Sequence, residues 1–218
     1  SDQKGYLDKM IDQLRSRGPD AKGMYFDNNI NLGHTRLSII DLNERSNQPF
    51  YDKQSGNILV FNGEIYNYKE IKKDLIEKTN CTFVTTSDTE VILKSYAHYG
   101  IDCFSKFDGM FAIGIWDSSL SKLILARDRF GEKPLYYNCF KENGKKQIPF
   151  ASNLNSLKHS PKFNNSINKK SLKSYLINNY VNSYETFYAD VYNIKPGSIL
   201  IFENNQITER KYFNINNY

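Results

Sequence analysis

Residues 110–127 read MFAIGIWDSSLSKLILAR. Two apolar runs, 110–117 and 122–127, flank the polar stretch 118–121. Runs of that length joined by so short a connection predict a β-hairpin. Strands joined by tight hairpins are antiparallel, because a parallel pair needs a crossover of a dozen residues or more.

The same pattern recurs on both sides. Residues 23–26 and 30–37 predict two strands around the Asp27-Asn28-Asn29 turn. Residues 57–61 predict a short apolar strand ended by an Asn62-Gly63 turn, and 82–85 predict another strand. Residues 135–140 and 147–151 predict a hairpin across a loop holding Asn143-Gly144, and 198–202 and 206–213 predict one across Glu203-Asn204-Asn205. Helices are predicted over 6–17, where Leu7, Met10, Ile11 and Leu14 share one face before Gly18-Pro19, over 65–78, and near 171–179. Ser87-Asp88-Thr89-Glu90 has capping-box spacing and opens a helix ending near Gly100. About nine to eleven antiparallel strands interrupted by three or four helices do not make the βαβα alternation of a doubly wound fold; the expected class is α+β.

Composition excludes several function classes. Of 218 residues, 39% are hydrophobic and 14% aromatic, which argues against disorder. No apolar run approaches the roughly 20 residues of a membrane span, and the N-terminus lacks a signal-peptide core. The net charge of +5 is scattered over lysine clusters at 72–73, 141–146 and 169–170, without the stripe a nucleic-acid surface needs. Cys81, Cys103 and Cys139 give neither a disulfide framework nor a zinc pattern, and His34, His98 and His159 stand apart, so no metal site is expected.

Five stretches set unlike polar groups beside apolar ones: Arg17-Gly18-Pro19-Asp20; Gly33-His34-Thr35-Arg36-Leu37-Ser38-Ile39-Ile40-Asp41; Phe61-Asn62-Gly63-Glu64-Ile65-Tyr66-Asn67; Thr86-Ser87-Asp88-Thr89-Glu90; and Arg127-Asp128-Arg129-Phe130-Gly131-Glu132-Lys133-Pro134-Leu135-Tyr136-Tyr137. Taken singly they are weak. Arg36 reads as a strand-edge charge, Asn62-Gly63 as a turn, Asp88 as a helix cap, Glu64 as a complement to a helix dipole, and His34 as a packed histidine. Arg127, Asp128, Arg129 and Lys133 read as a structural ion-pair cluster.

Together and in this order they resemble the class II glutamine amidotransferase domain at the N-terminus of glutamine-hydrolysing asparagine synthetases, from about Leu7 to Phe213. The resemblance implies an N-terminal-nucleophile hydrolase fold, a four-layer αββα sandwich of two antiparallel sheets, and one amidotransferase domain over 1–218. It implies glutamine contacts at Arg36, Leu37, Ile39, Ile40, Asn62, Gly63, Glu64 and Asp88, with Asn62 and Gly63 as the oxyanion hole. The chemistry is coherent. A guanidinium suits the α-carboxylate of glutamine, acidic side chains suit its ammonium, and two N–H donors suit the oxyanion.

The family's nucleophile is an N-terminal cysteine on a central strand that opens Cys-Gly-Ile, and no such cysteine occurs here. That strand is expected to lie outside this sequence. The polypeptide as given is expected not to hydrolyse glutamine, and an N-terminal serine followed by polar residues is not expected to substitute. The Ser-Gly-Gly-x-Asp-Ser loop of the synthetase half is absent too. ATP and magnesium are therefore expected to belong to a C-terminal or separate synthetase domain, and this chain itself is expected to need no cofactor. Expected partners are L-glutamine and that synthetase domain, which receives ammonia for an acid such as aspartate. A homodimer is held open, no nucleic-acid or membrane partner is expected, and the expected compartment is the cytoplasm. The alternatives are a catalytically silent glutamine-binding or scaffolding domain and a sugar-modifying amidotransferase half.

Overall fold

The structure is a computed structural model, and it describes residues 3–181 and 184–215. Its chain order is α1 (Gln3–Asp12), β1 (Ala21–Phe26), β2 (Asn31–Arg36), β3 (Phe50–Tyr51), β4 (Ile58–Ile65), α2 (Tyr68–Thr79), α3 (Asp88–Tyr99), β5 (Gly109–Asp117), β6 (Lys122–Arg127), β7 (Tyr136–Asn138), β8 (Phe140–Glu142), β9 (Lys145–Gln147), β10 (Phe150–Ala151), α4 (Leu154–Leu157), α5 (Lys169–Asn178), β11 (Val191–Asn193), β12 (Ser198–Glu203) and β13 (Gln206–Lys211).

The hairpin read from 110–127 forms β5 and β6, paired antiparallel from Asp117↔Lys122 to Ala112↔Arg127. They lie at the centre of a six-stranded sheet, ordered β13-β12-β6-β5-β4-β3. Both faces of this sheet are covered, which explains its almost unbroken apolar strands. Leu59, Phe61, Ile65, Phe111, Ile113 and Ile115 point to one face and pack with Leu75 of α2 and Val91, Ile92 and Leu93 of α3. The alternating residues Ile58, Val60, Ala112 and Trp116 point to the other and meet Leu32 of β2, Leu135 and Ile194. This second layer consists of two short sheets, β1-β2 and β10-β7-β11. A third cluster covers its outside, where Met10 of α1 and Leu154 and Leu157 of α4 pack on Ala151 and Val191. The layers run helix, sheet, sheet, helix, as the resemblance implies. Among the described residues no helix is long and apolar enough to cross a membrane.

Four local expectations are corrected. Asn62-Gly63 is not a turn: β4 runs straight through it to Ile65, with Asn62 opposite Ala112 and Gly63 opposite Phe111. Gly63 sits at φ +149°, and a Cβ there would stand 2.0 Å from the Met110 carbonyl oxygen. The glycine is there for close approach of two strands, not for chain reversal. Residues 82–85 form no strand. Their backbone is held by side chains instead: Glu90 accepts from the amides of Val84 (3.0 Å) and Thr85 (2.7 Å), and Lys72 Nζ donates to the Thr85 carbonyl at 3.0 Å. The capping box is therefore half made. Ser87 Oγ accepts from Thr89 N at 3.1 Å, but Glu90 turns to the preceding loop rather than to the cap. The first helix starts at Gln3 and ends at Asp12, with a 3₁₀ turn at Arg15–Arg17.

Candidate functional site

The site grows from the free edge of β4. In an antiparallel ladder the N–H groups of alternate residues share an edge. Phe61 and Ile65 aim theirs away from β5. Phe61 N donates to Gln48 Oε1 at 2.6 Å, and Ile65 N donates to Asp88 Oδ2 at 3.1 Å. Gly63 lies between them, and alternation puts its N–H on the same edge, where no side chain among the described residues accepts from it. Beside it, Asn62 Nδ2 is buried without a hydrogen-bond partner. An unmet buried donor costs roughly 1–3 kcal/mol. Two neighbouring N–H groups thus stand unengaged where the sequence reading places an oxyanion hole.

Arg36 ends β2 and is 7% exposed. Its Nη1 donates to the Asn43 carbonyl (2.9 Å) and Asn47 Oδ1 (2.8 Å), and its Nη2 to the carbonyls of Ile40 (3.1 Å) and Asp41. The expected open fork is thus wrapped by the 40–47 loop. Every oxygen it meets is uncharged, and no carboxylate among the described residues pairs with it. Asp88, 4% exposed, is the opposite case. It accepts from Ile65 N and Ser87 Oγ and meets no cation among the described residues. Burial, reinforced by repulsion from Glu64, pushes its carboxyl above the usual carboxylate range, against the pull of those hydrogen bonds. Among the described residues, a buried guanidinium and a buried carboxylate each lack a counter-charge, an arrangement whose desolvation cost a ligand of complementary charge would offset.

Hydrogen bonds join these groups into a ring. Arg36 reaches Asn47, the next residue, Gln48, holds Phe61, and Asn62 follows. In the other direction Arg36 reaches Asp41, Asp41 Oδ2 accepts from Thr86 N at 2.8 Å, and Ser87 and Asp88 lead to Ile65, beside Glu64. The ring ties Arg36 and Ile40 to Asp88 and to the stretch of β4 that carries Asn62, Gly63 and Glu64; of these six, Asn62 alone lines the cleft described next. Leu37 and Ile39 lie outside the ring, 56% and 72% exposed. Gln48 was not singled out by the sequence, since a polar residue in a polar loop carries no local signal; Asp41 closes the 33–41 stretch but had no role assigned to it.

On the inner side of β4 lies a cleft of about 940 Å³, floored by Val60, Asn62 and Ala112 and walled by β2 on one side and 147–152 on the other. Among the described residues β2 pairs only with β1, and β10 only with β7, so each has an edge without a partner strand, and both strands line the cleft. His34 of β2 lines it. Its Nε2 is 3.0 Å from the Phe61 carbonyl, which can only accept, so the proton sits on Nε2 and Nδ1 presents a lone pair with no partner. Burial, with the nearby Arg36 charge adding to it, lowers the His34 pKa to about 4, against the raising effect of the Phe61 carbonyl. The imidazole is neutral at pH 7.

None of the three cysteines lines this cleft. Burial pushes the Cys103 thiol well up and raises that of Cys139, the opposite of an activated thiolate. The Arg127–Lys133 segment is structural, as its sequence suggests, with an ion pair from Arg129 to Asp108 and a larger share of bonds to the backbone. Asp128 accepts from the amides of Phe111, Phe130, Glu132 and Lys133, and Arg127 donates to the carbonyls of Lys133 and Ile194.

Comparison with known proteins shows the family. A family model described as a glutamine amidotransferase domain matches residues 1–213. The chain is 39% identical over 217 residues to asparagine synthetase [glutamine-hydrolyzing] 1 of Bacillus subtilis, covering 99% of this chain and 33% of that protein. It is 35% identical over 230 residues to a putative asparagine synthetase [glutamine-hydrolyzing] 2 of Methanocaldococcus jannaschii, covering 96% and 43%. It is 36% identical over 209 residues to amidase chry2 of Gibberella zeae, covering 94% and 29%. The chain thus spans about a third of the length of such relatives. Among solved structures, glutamine phosphoribosylpyrophosphate amidotransferase from B. subtilis superposes with a TM-score of 0.62 at 18% identity, over 95% of this chain and 46% of that one. That likeness shows the shared fold.

Proposed function

Since the chain belongs to the glutamine amidotransferase domain family, we propose that its site binds L-glutamine and, completed by a cysteine thiol, hydrolyses it to glutamate and ammonia. One observation carries this reading: among the described residues a buried guanidinium has no carboxylate and a buried carboxylate has no cation, and the Asp41–Thr86 hydrogen bond joins the segments that carry them. The pair suits a zwitterion. Arg36 takes the α-carboxylate, through its Nε–H or by displacing a loop carbonyl, and Asp88 and Glu64 take the ammonium. The side-chain amide then extends toward Asn62 and Gly63.

The chemistry needs a thiol that Cys81, Cys103 and Cys139 do not offer. An extended segment lying in the cleft, paired to the free edges of β2 and β10, brings one beside Asn62. The thiolate attacks the amide carbon, and the oxyanion is held by Asn62 Nδ2 and Gly63 N–H, donors worth roughly 2.7–4 kcal/mol each in such sites. The C–N bond breaks, ammonia leaves with a proton, and water hydrolyses the thioester to glutamate and free thiol. Ammonia passes to a synthetase domain that uses ATP and magnesium to activate an acid such as aspartate. The cytoplasm is the fitting compartment, since all three cysteines are free thiols.

Calorimetric titration tests the binding step. L-glutamine should bind saturably, and Arg36→Ala should abolish binding. Equal heats from wild type and variant would remove the zwitterion reading. A version extended by a cysteine-bearing strand should release ammonia from glutamine, and its cysteine-to-alanine counterpart should not.

A further inference from the structure

Asp41 is not among the glutamine contacts that the family resemblance supplies, yet it touches both halves of the site. Its carbonyl accepts from Arg36 Nη2. Its Oδ2 accepts from Thr86 N at 2.8 Å, immediately before Ser87 and Asp88. Its Oδ1 accepts from Asn43 N (3.2 Å) and Asn43 Nδ2 (2.9 Å). The side chain is 1% exposed, and Arg45 Nη2 lies 3.5 Å from Oδ2, on the solvent side. The backbone sits at φ +50°, a conformation that aspartate tolerates better than most residues. One residue thus binds the loop around the cationic end through its main chain and the segment leading to the anionic end through its side chain. The two segments lie 45 residues apart in sequence.

We propose that Asp41 is a positioning residue that sets the spacing between Arg36 and Asp88 to the span of one α-amino acid. The assignment rests on the glutamine reading of the site. A gap fixed in this way favours ligands that engage both charges, because the protein need not order two loops as the ligand arrives. A ligand that engages one charge gains nothing from the fixed gap. The strong hydrogen bonding of the carboxylate, led by the Thr86 amide, holds its pKa well below the usual range, so the clasp stays ionised at any working pH.

The test uses the whole chain, with binding followed by calorimetry and, for weak ligands, by NMR. The ligands are L-glutamine, glutaramate, which lacks the ammonium, and 4-aminobutanamide, which lacks the carboxylate. Asp41→Ala should raise the Kd for glutamine about tenfold, the scale of losing a charge-assisted hydrogen bond. Asp41→Asn keeps one acceptor and should raise it about threefold. Both variants should leave the one-ended analogues unchanged. Thr86→Ala, which keeps its backbone N–H, should bind glutamine as wild type does. Should Asp41→Ala fail to fold, the near-isosteric Asp41→Asn decides. Loss of equal size for all three ligands, or no loss for glutamine, overturns the positioning role while wild-type binding upholds the glutamine reading. No saturable glutamine binding by folded wild type overturns that reading and this assignment together.

Discussion

The Asp88 carboxylate accepts the backbone N–H of Ile65 at 3.1 Å, fastening the first turn of α3 to the last residue of β4. A helix start and a strand end 23 residues apart are thereby held together at Glu64. The bond holds a buried acid whose pKa lies above its unfolded value, and that has a measurable consequence.

Asp88 contributes stability below its unfolded pKa of 3.8 and loses it as pH rises through its higher folded value. Asp88→Asn retains an oxygen for the Ile65 amide and removes the charge. At pH 7 its melting temperature should match or exceed that of wild type, and the difference should vanish near pH 3. Its glutamine affinity should fall about tenfold or more, as a charged hydrogen bond is lost. A variant that melts below wild type at pH 7 would contradict this.

His34 has the opposite sign. Its folded pKa of about 4 lies below the unfolded 6.5, so its contribution is complete above pH 6.5 and disappears as pH falls to about 4. The full effect is about 3 kcal/mol. In urea titrations at several pH values, His34→Gln should lose less stability than wild type across that window. Parallel curves would remove His34 as the titrating group.

Asn62→Ala deletes a donor with no partner in the unliganded protein. Stability should not fall. In the cysteine-completed enzyme, kcat should drop about 10²–10³-fold with little change in KM, since the oxyanion exists only along the reaction path. Loss of affinity with kcat intact would place Asn62 on the ground-state substrate instead.

Gly63→Ala drives a Cβ to 2.0 Å from the Met110 carbonyl oxygen at a backbone angle alanine resists. The strands must part, and the cost should reach about 3–5 kcal/mol in denaturant unfolding. A cost under about 1 kcal/mol would show that β4 and β5 can separate freely.

The hairpin of β5 and β6 was legible because alternating and continuous apolar runs with a short polar connection are local facts, and local facts survive folding. The antiparallel α+β class follows from them; the order of the six-stranded sheet and the covering of both its faces do not. Asn62-Gly63 was misread for the complementary reason. Its sequence is a good turn, but β5 at van der Waals distance makes the glycine a necessity of strand contact, and no neighbour in the chain reports that. Residues 82–85 have strand propensity, yet Val84 and Thr85 are bound by Glu90 and Lys72, side chains that reach them only in the folded state.

By itself, the sequence determined the antiparallel α+β architecture, the set of polar groups suited to glutamine, and the absence of the family's thiol from their number. Tertiary structure alone decided how those groups are presented: Arg36 wrapped in carbonyls, Asp88 spent on Ile65, Asn62 left without a partner, and Asp41 joining the two loops. The physical reason is that composition and periodicity are properties of neighbouring residues. Hydrogen-bond satisfaction and charge pairing depend on which distant segments meet, and that is settled only when the layers pack.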